Sequence, residues 1–193
     1  EIEFIHLMDW DIQDCSGCVA CSRGLVMGKG MICSRQDDFK ALYEKIIEAD
    51  GVLFVDPIFE SGATGLYHSI TDRMGPGHDT GMMKMLDGKL KEAGKEGLNP
   101  RYFRQKALSF VGIGGSDWAV RCETDHAMFA LSPGWKVVNN EFFSWCKDVI
   151  MQDDKVERMK EIGRNLADAA QQIIDEDMQI EGSEKTSLWK GKE

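Results

Sequence analysis

Two short apolar runs most constrain how this chain can fold. They are Val52-Leu53-Phe54-Val55 and Ala107-Leu108-Ser109-Phe110-Val111, and each ends in a glycine-bearing loop. Runs this short, with no polar–apolar alternation, suit strands buried on both faces of a parallel sheet. The segments around them carry helical spacing. Asp37 or Asp38 can cap a helix running to about Ala49, with Phe39, Leu42, Ile46 and Ala49 as its buried stripe. Further helices are expected over Leu66 to Met74, around Met82 to Ala93 and over Val120 to Leu131. The last one holds Val156, Met159, Ile162, Leu166, Ala169 and Ile173 on one face. Glu3 to Met8 reads as an opening strand, and Trp135-Lys136-Val137-Val138 starts another.

Alternation of strand and helix defines an α/β fold with a parallel sheet. The organisation expected is one domain over residues 1–177 with a polar tail over 178–193. Ligands of such sheets bind at the carboxyl ends of the strands. The loops from Pro57 to Gly65 and from Gly112 to Trp118 are therefore the candidate binding loops.

A second feature points to chemistry. Cys15, Cys18 and Cys21 form two consecutive Cys-x-x-Cys steps, and Cys33 follows twelve positions later. Three thiolates in one compact loop with a fourth further along suit a cubane iron–sulfur cluster. A zinc knuckle is the alternative, although no histidine lies in this loop and zinc commonly takes paired Cys-x-x-Cys units far apart. Cys33 is either the fourth ligand or a spare thiol. Cys122 and Cys146 sit singly in apolar-flanked segments and read as buried structural cysteines.

Composition narrows the partners. The net charge of −10 over 193 residues opposes binding to nucleic acid or to an anionic membrane. No apolar run reaches eighteen residues, and no signal peptide is visible. Clustered cysteines suit a reducing cytoplasm better than a disulfide framework. His78 and His126 titrate near neutrality in principle, but surface or satisfied core roles are the simpler reading of both.

The order of these pieces resembles a known family. The cysteine cluster, Asp37-Asp38-Phe39, Ala49-Asp50-Gly51, Asp56-Pro57-Ile58-Phe59 with Gly62 and Gly65, and Asp72-Arg73 follow one another as in the iron–sulfur flavoproteins of the NADPH-dependent FMN reductase group. The resemblance covers Glu3 to about Ala170. It implies a flavodoxin-like three-layer sandwich. It implies that Pro57, Ile58, Phe59, Glu60 and Ser61, with Gly112, Gly114, Gly115 and Ser116, border an FMN ring. It also implies that Cys15, Cys18, Cys21 and Cys33, in the loop 15–33, ligate a [4Fe-4S] cluster, with NAD(P)H as a donor and a homodimer or homotetramer as the assembly.

Three departures accompany the resemblance. The Cys21-to-Cys33 gap is longer than the family's usual one. Asp56 and Glu60 put acid where the family has serine and an aromatic or small residue, which would lower the flavin's potential if they faced it. The family's first strand and its phosphate-holding loop have no counterpart in the chain. The strand at Glu3 would correspond to the family's second, and in the order 2-1-3-4-5 the missing strand is central. The expectation is an N-terminally truncated protein, or a sheet completed by another chain. Two functions follow: a flavin-dependent oxidoreductase passing electrons between donor, FMN, cluster and a redox partner or small-molecule acceptor, or a non-catalytic electron-transfer or structural subunit of a larger redox complex. A flavin-free, zinc-stabilised interaction module is the third alternative.

Overall fold

The computed structural model describes residues 1–27, 33–75, 80–115, 119–131, 135–144 and 152–189. Among these residues six α-helices and three strands succeed one another: α1 Ala20–Val26, α2 Phe39–Glu48, β1 Gly51–Pro57, α3 Gly65–Met74, α4 Thr80–Glu92, β2 Ala107–Ile113, α5 Val120–Leu131, β3 Lys136–Phe143 and α6 Asp153–Trp189. The strands pair in parallel in the order β1-β2-β3. The β1–β2 register runs unbroken from Gly51 opposite Ala107 to Pro57 opposite Ile113, and β3 shifts register beside Leu108 and Ser109.

β2 shows the predicted double burial. Leu108 and Phe110 face α2, α3 and α5 in the main core, with Phe39, Leu42, Tyr43, Ile46, Tyr67, Ile70 and Phe129. Ala107 and Val111 face the other way, toward Leu166, Ala169, Ile173, Ile162 and Met159 of α6. Helices therefore cover both faces of a three-stranded parallel sheet. Phe39, Leu42 and Ile46 of the stripe predicted in α2, and Met159, Ile162, Leu166, Ala169 and Ile173 of that predicted in α6, face this core, whereas Ala49 is the extended C-cap of α2. α6 itself runs on to Trp189, beyond the point near Met178 where the sequence turns polar.

Two expectations fail. Glu3 to Met8 is not a strand: the segment is unpaired, Leu7–Asp9 is a 3-10 turn, and Ile2 and Phe4 are almost fully exposed. An apolar-rich segment becomes a strand only with a neighbour to take its backbone hydrogen bonds, and among the described residues no strand pairs with this one. Val52 to Val55 is a strand, but it is not buried on both faces. Val52 and Phe54 pack into the core, whereas Leu53 is 37% and Val55 49% exposed. Among the described residues β1 is an edge strand, and Leu166 and Ala170 of α6 lie against its start at Gly51.

Lys106, just before β2, is fully buried. Its Nζ donates to the carbonyls of Ile47 and Ala49 and so satisfies the C-terminal end of α2. Burial brings this amine down to about 8. Among the described residues, no helix is long and apolar enough to cross a membrane.

Candidate functional site

The loop after β1 is a tight reversal. Phe59 and Gly62 pair backbone to backbone, and the two residues between them, Glu60 and Ser61, take φ of 48° and 66°. Neither is glycine, so the turn holds two residues in a left-handed conformation that L side chains adopt rarely. The turn is anchored from behind: Cys122 N, in the first turn of α5, donates to Ser61 O at 2.9 Å. Phe59 is left 68% exposed at its tip. Ile58 N donates to Ile113 O, so this loop and the one after β2 are bonded together.

The glycines of the second loop are needed for that contact. A Cβ on Gly112 would lie 2.8 Å from Ile58 Cδ1 and 3.5 Å from Cys122 Sγ. One on Gly114 would lie 3.2 Å from Phe142 and 3.3 Å from Ile58 Cβ. Gly115 has open space around it. The residues expected to border a flavin, Pro57 to Ser61 with Gly112, Gly114 and Gly115, are thus assembled in one place at the strands' carboxyl ends. Ser116 and Trp118 lie outside the described residues. The exposed aromatic tip and the close-packed glycine backbone suit a flat ring.

Asp56 does not face this surface. It is buried, and its carboxylate accepts from Thr64 N at 2.9 Å and Thr64 Oγ1 at 2.7 Å, which fixes the N-cap of α3. Asp56, Cys122 and His126 bring one donor atom each within 4.8 Å of one another, all buried. Burial pushes the Cys122 thiol up to about 12 and lowers His126, which stacks on Phe110 at 4.7 Å. The Asp56 carboxylate is already committed to Thr64, and the three side chains form a buried polar patch of the core. His126 is the satisfied core histidine expected, and His78 lies outside the described residues, as does Cys146.

The cysteine loop sits on the N-terminal end of α2 and one side of α3. Cys15 and Cys18 are exposed, and Cys21, in α1, and Cys33 are partly buried. Three of the sulfurs have separate neighbours: Cys18 Sγ lies 3.1 Å from Ser34 Oγ, Cys33 Sγ 3.2 Å from Arg73 Nη2, and Cys21 Sγ 3.2 Å from where a Cβ on Gly75 would stand. The hydroxyl of Ser34 and the backbone at Ala20 bring the Cys18 thiol down to about 7, so a thiolate is accessible there near neutrality. Between Cys18 and Cys21 the chain turns through Val19 at φ 60°, a β-branched residue in the left-handed region. Backbone strain of this kind collects at functional loops. Four thiols, two of them exposed and one near its ionisation point, fit the donor set of a cubane cluster.

What holds the loop was not legible as function in the sequence. Asp37 and Asp38 do more than start α2. Asp38 makes no side-chain cap; its Oδ2 takes Asp11 N at 2.8 Å. Asp37 accepts from Gln13 N at 2.9 Å and Phe39 N at 3.2 Å and pairs with Arg73. Asp14 accepts from Ser69 Oγ. The Asp-Asp-Phe and Asp-Arg signatures were visible, but their pairing across 36 positions could not be read from spacing.

Fold and site together define a flavodoxin-like α/β protein with a thiol-rich loop packed against α2 and α3. The sequence profile of NADPH-dependent FMN reductases matches residues 1–149, and the chain belongs to that family. It is similar to a solved flavone reductase, at 40% identity and a TM-score of 0.76 over 90% of this chain and 53% of that one. It is also similar to an iron–sulfur flavoprotein of Archaeoglobus fulgidus, 29% identical over 119 residues, which are 62% of this chain and 49% of the relative. A solved NADH:FMN oxidoreductase, at 19% identity and a TM-score of 0.51 over 85% of this chain and 70% of its own, shares the fold. The chain spans at most about half the length of the curated relatives it matches.

Proposed function

We propose that this chain carries the flavin-ring and cluster-binding parts of an NAD(P)H-dependent FMN oxidoreductase. FMN would lie against Pro57 to Ser61 and Gly112 to Ser116, and a [4Fe-4S] cluster would be held by Cys15, Cys18, Cys21 and Cys33. The observation that carries the reading is the pair of loops bonded through Ile58 and Ile113, with left-handed Glu60 and Ser61 presenting Phe59. The family match and the names of the archaeal relatives support the two cofactors. FMN, when bound, supplies exchange between two-electron and one-electron chemistry, and a cluster supplies one-electron storage. The protein's part is to hold the ring plane between the two loops and to keep the thiolates together. Since the solved relative at 40% identity is a flavone reductase, a conjugated enone of flavone type is the first acceptor to assay.

A second reading has its own observation. The outer edge of β1 pairs with no strand among the described residues, and Leu53 and Val55 beside it are exposed. A strand supplied there, by further chain or by a partner, would complete the sheet and could bring the phosphate-holding loop with it. In that case the chain by itself acts as an electron-transfer subunit of a redox complex. The assembly we propose is cytoplasmic and oligomeric, with single electrons passing to a partner protein or small acceptor.

The visible spectrum of anaerobically purified protein tests these readings. Flavin bands with a broad shoulder near 400 nm, roughly where thiolate-to-iron charge transfer absorbs, support the first. The shoulder without flavin supports the second. A colourless protein with stoichiometric zinc overturns both. Cys18→Ser should remove the shoulder and leave any FMN in place.

A further inference from the structure

We infer that Arg73 is the positioning residue of the cluster: it fixes Cys33 as the fourth ligand and donates a hydrogen bond to its thiolate. This rests on the cluster assignment above and deepens it. The Arg73 side chain is 1% exposed and that of Asp37 0%. Its Nη1 donates to Gln13 O at 2.9 Å and to Asp37; its Nη2 donates to Asp37 Oδ1 at 2.7 Å and to Cys33 Sγ at 3.2 Å. The guanidinium also lies 4.2 Å from the centre of the Phe39 ring.

One buried group therefore touches both limbs of the cysteine loop. Gln13 lies two residues before the Cys15-Cys18-Cys21 run, and Cys33 lies twelve beyond it. This explains how the long gap can still deliver Cys33 to the same place: the guanidinium, and not the spacing, sets its distance from the run. A buried ion pair is weak evidence of stabilisation for its own sake. Here the planar fork does what a lysine could not, serving a carboxylate, a carbonyl and a sulfur at fixed angles. Its bond to sulfur becomes strong only when that sulfur is anionic, as in a metal-bound thiolate. An N–H donated to a cluster thiolate spreads its negative charge and favours the reduced cluster, so it raises the potential.

The test is Arg73→Lys in anaerobically prepared protein, with iron content, a potentiometric titration followed by EPR, and thermal unfolding. The lysine keeps the charge beside Asp37 but cannot reach Cys33 as well. The expected result is a more negative cluster potential and readier conversion to a three-iron form on mild oxidation. Wild-type potential and iron retention in this variant overturn the inference. A double-mutant cycle with Cys33→Ser guards against a general loss of folding: the effect of Arg73→Lys should vanish in that background, and an undiminished effect shows that Arg73 does not act through Cys33. Wild-type protein that binds no iron overturns the cluster assignment itself and the inference with it, which is a different result from four irons with an unmoved potential.

Discussion

Asp37 shows how much one side chain can be asked to do. Its sequence position marks a helix start, and it does accept from Phe39 N, but its main partner is Arg73. The bond from that guanidinium holds the Asp37 carboxyl down at about 2, against an ordinary 3.8. A depressed carboxylate stabilises the fold above its unfolded-state value and loses that contribution as pH falls toward 2. Asp37→Asn leaves Arg73 buried without a counter-charge, which should destabilise the protein by about 3–5 kcal/mol at neutral pH. Urea denaturation should show the gap between wild type and variant narrowing by roughly 2 kcal/mol between pH 4 and pH 2, and a gap that does not change with pH would separate the stability effect from the ion pair.

At the level of elements, the two strand-end loops depend on each other. The β2 loop is glycine at 112 and 114 because Ile58 of the β1 loop occupies the space a side chain would need. Gly112→Ala should push Ile58 outward and deform the turn that carries Phe59. The expected outcome is an overpacking destabilisation of about 1–3 kcal/mol, with a clear loss of FMN affinity in fluorescence titration. Gly163→Ala, in α6, where a Cβ meets nothing within 4 Å, is the control and should retain both. The boundaries of α5 match the expectation from spacing because its stripe is local. The opening segment does not, because Glu3 to Met8 has strand composition without a strand beside it.

Over the whole molecule, the described residues give the sheet two edge strands, β1 and β3, around a buried middle strand. Val111, in the middle strand, is fully buried, whereas Val55, beside it in register, is half exposed. Val55→Lys should therefore change the unfolding free energy of this chain by no more than about 0.5 kcal/mol, as at ordinary surface positions, while Val111→Lys should prevent folding by burying an unpaired charge. A large loss from Val55→Lys in urea denaturation would mean that the open face is covered in solution.

What the sequence determined by itself was whatever is encoded over a few residues. That includes the apolar stripes of α2 and α6, the apolar run that became β2, the glycines at the strand ends, and the cysteine run. Each depends on a period or a side-chain chemistry that neighbours along the chain are enough to display. Only the tertiary structure decided which strand is an edge, because burial belongs to the sheet and not to the segment. It decided that Asp56 turns inward to Thr64. It also decided that Arg73, 40 positions beyond Cys33, meets it, because a buried charge must find its partners wherever the fold brings them.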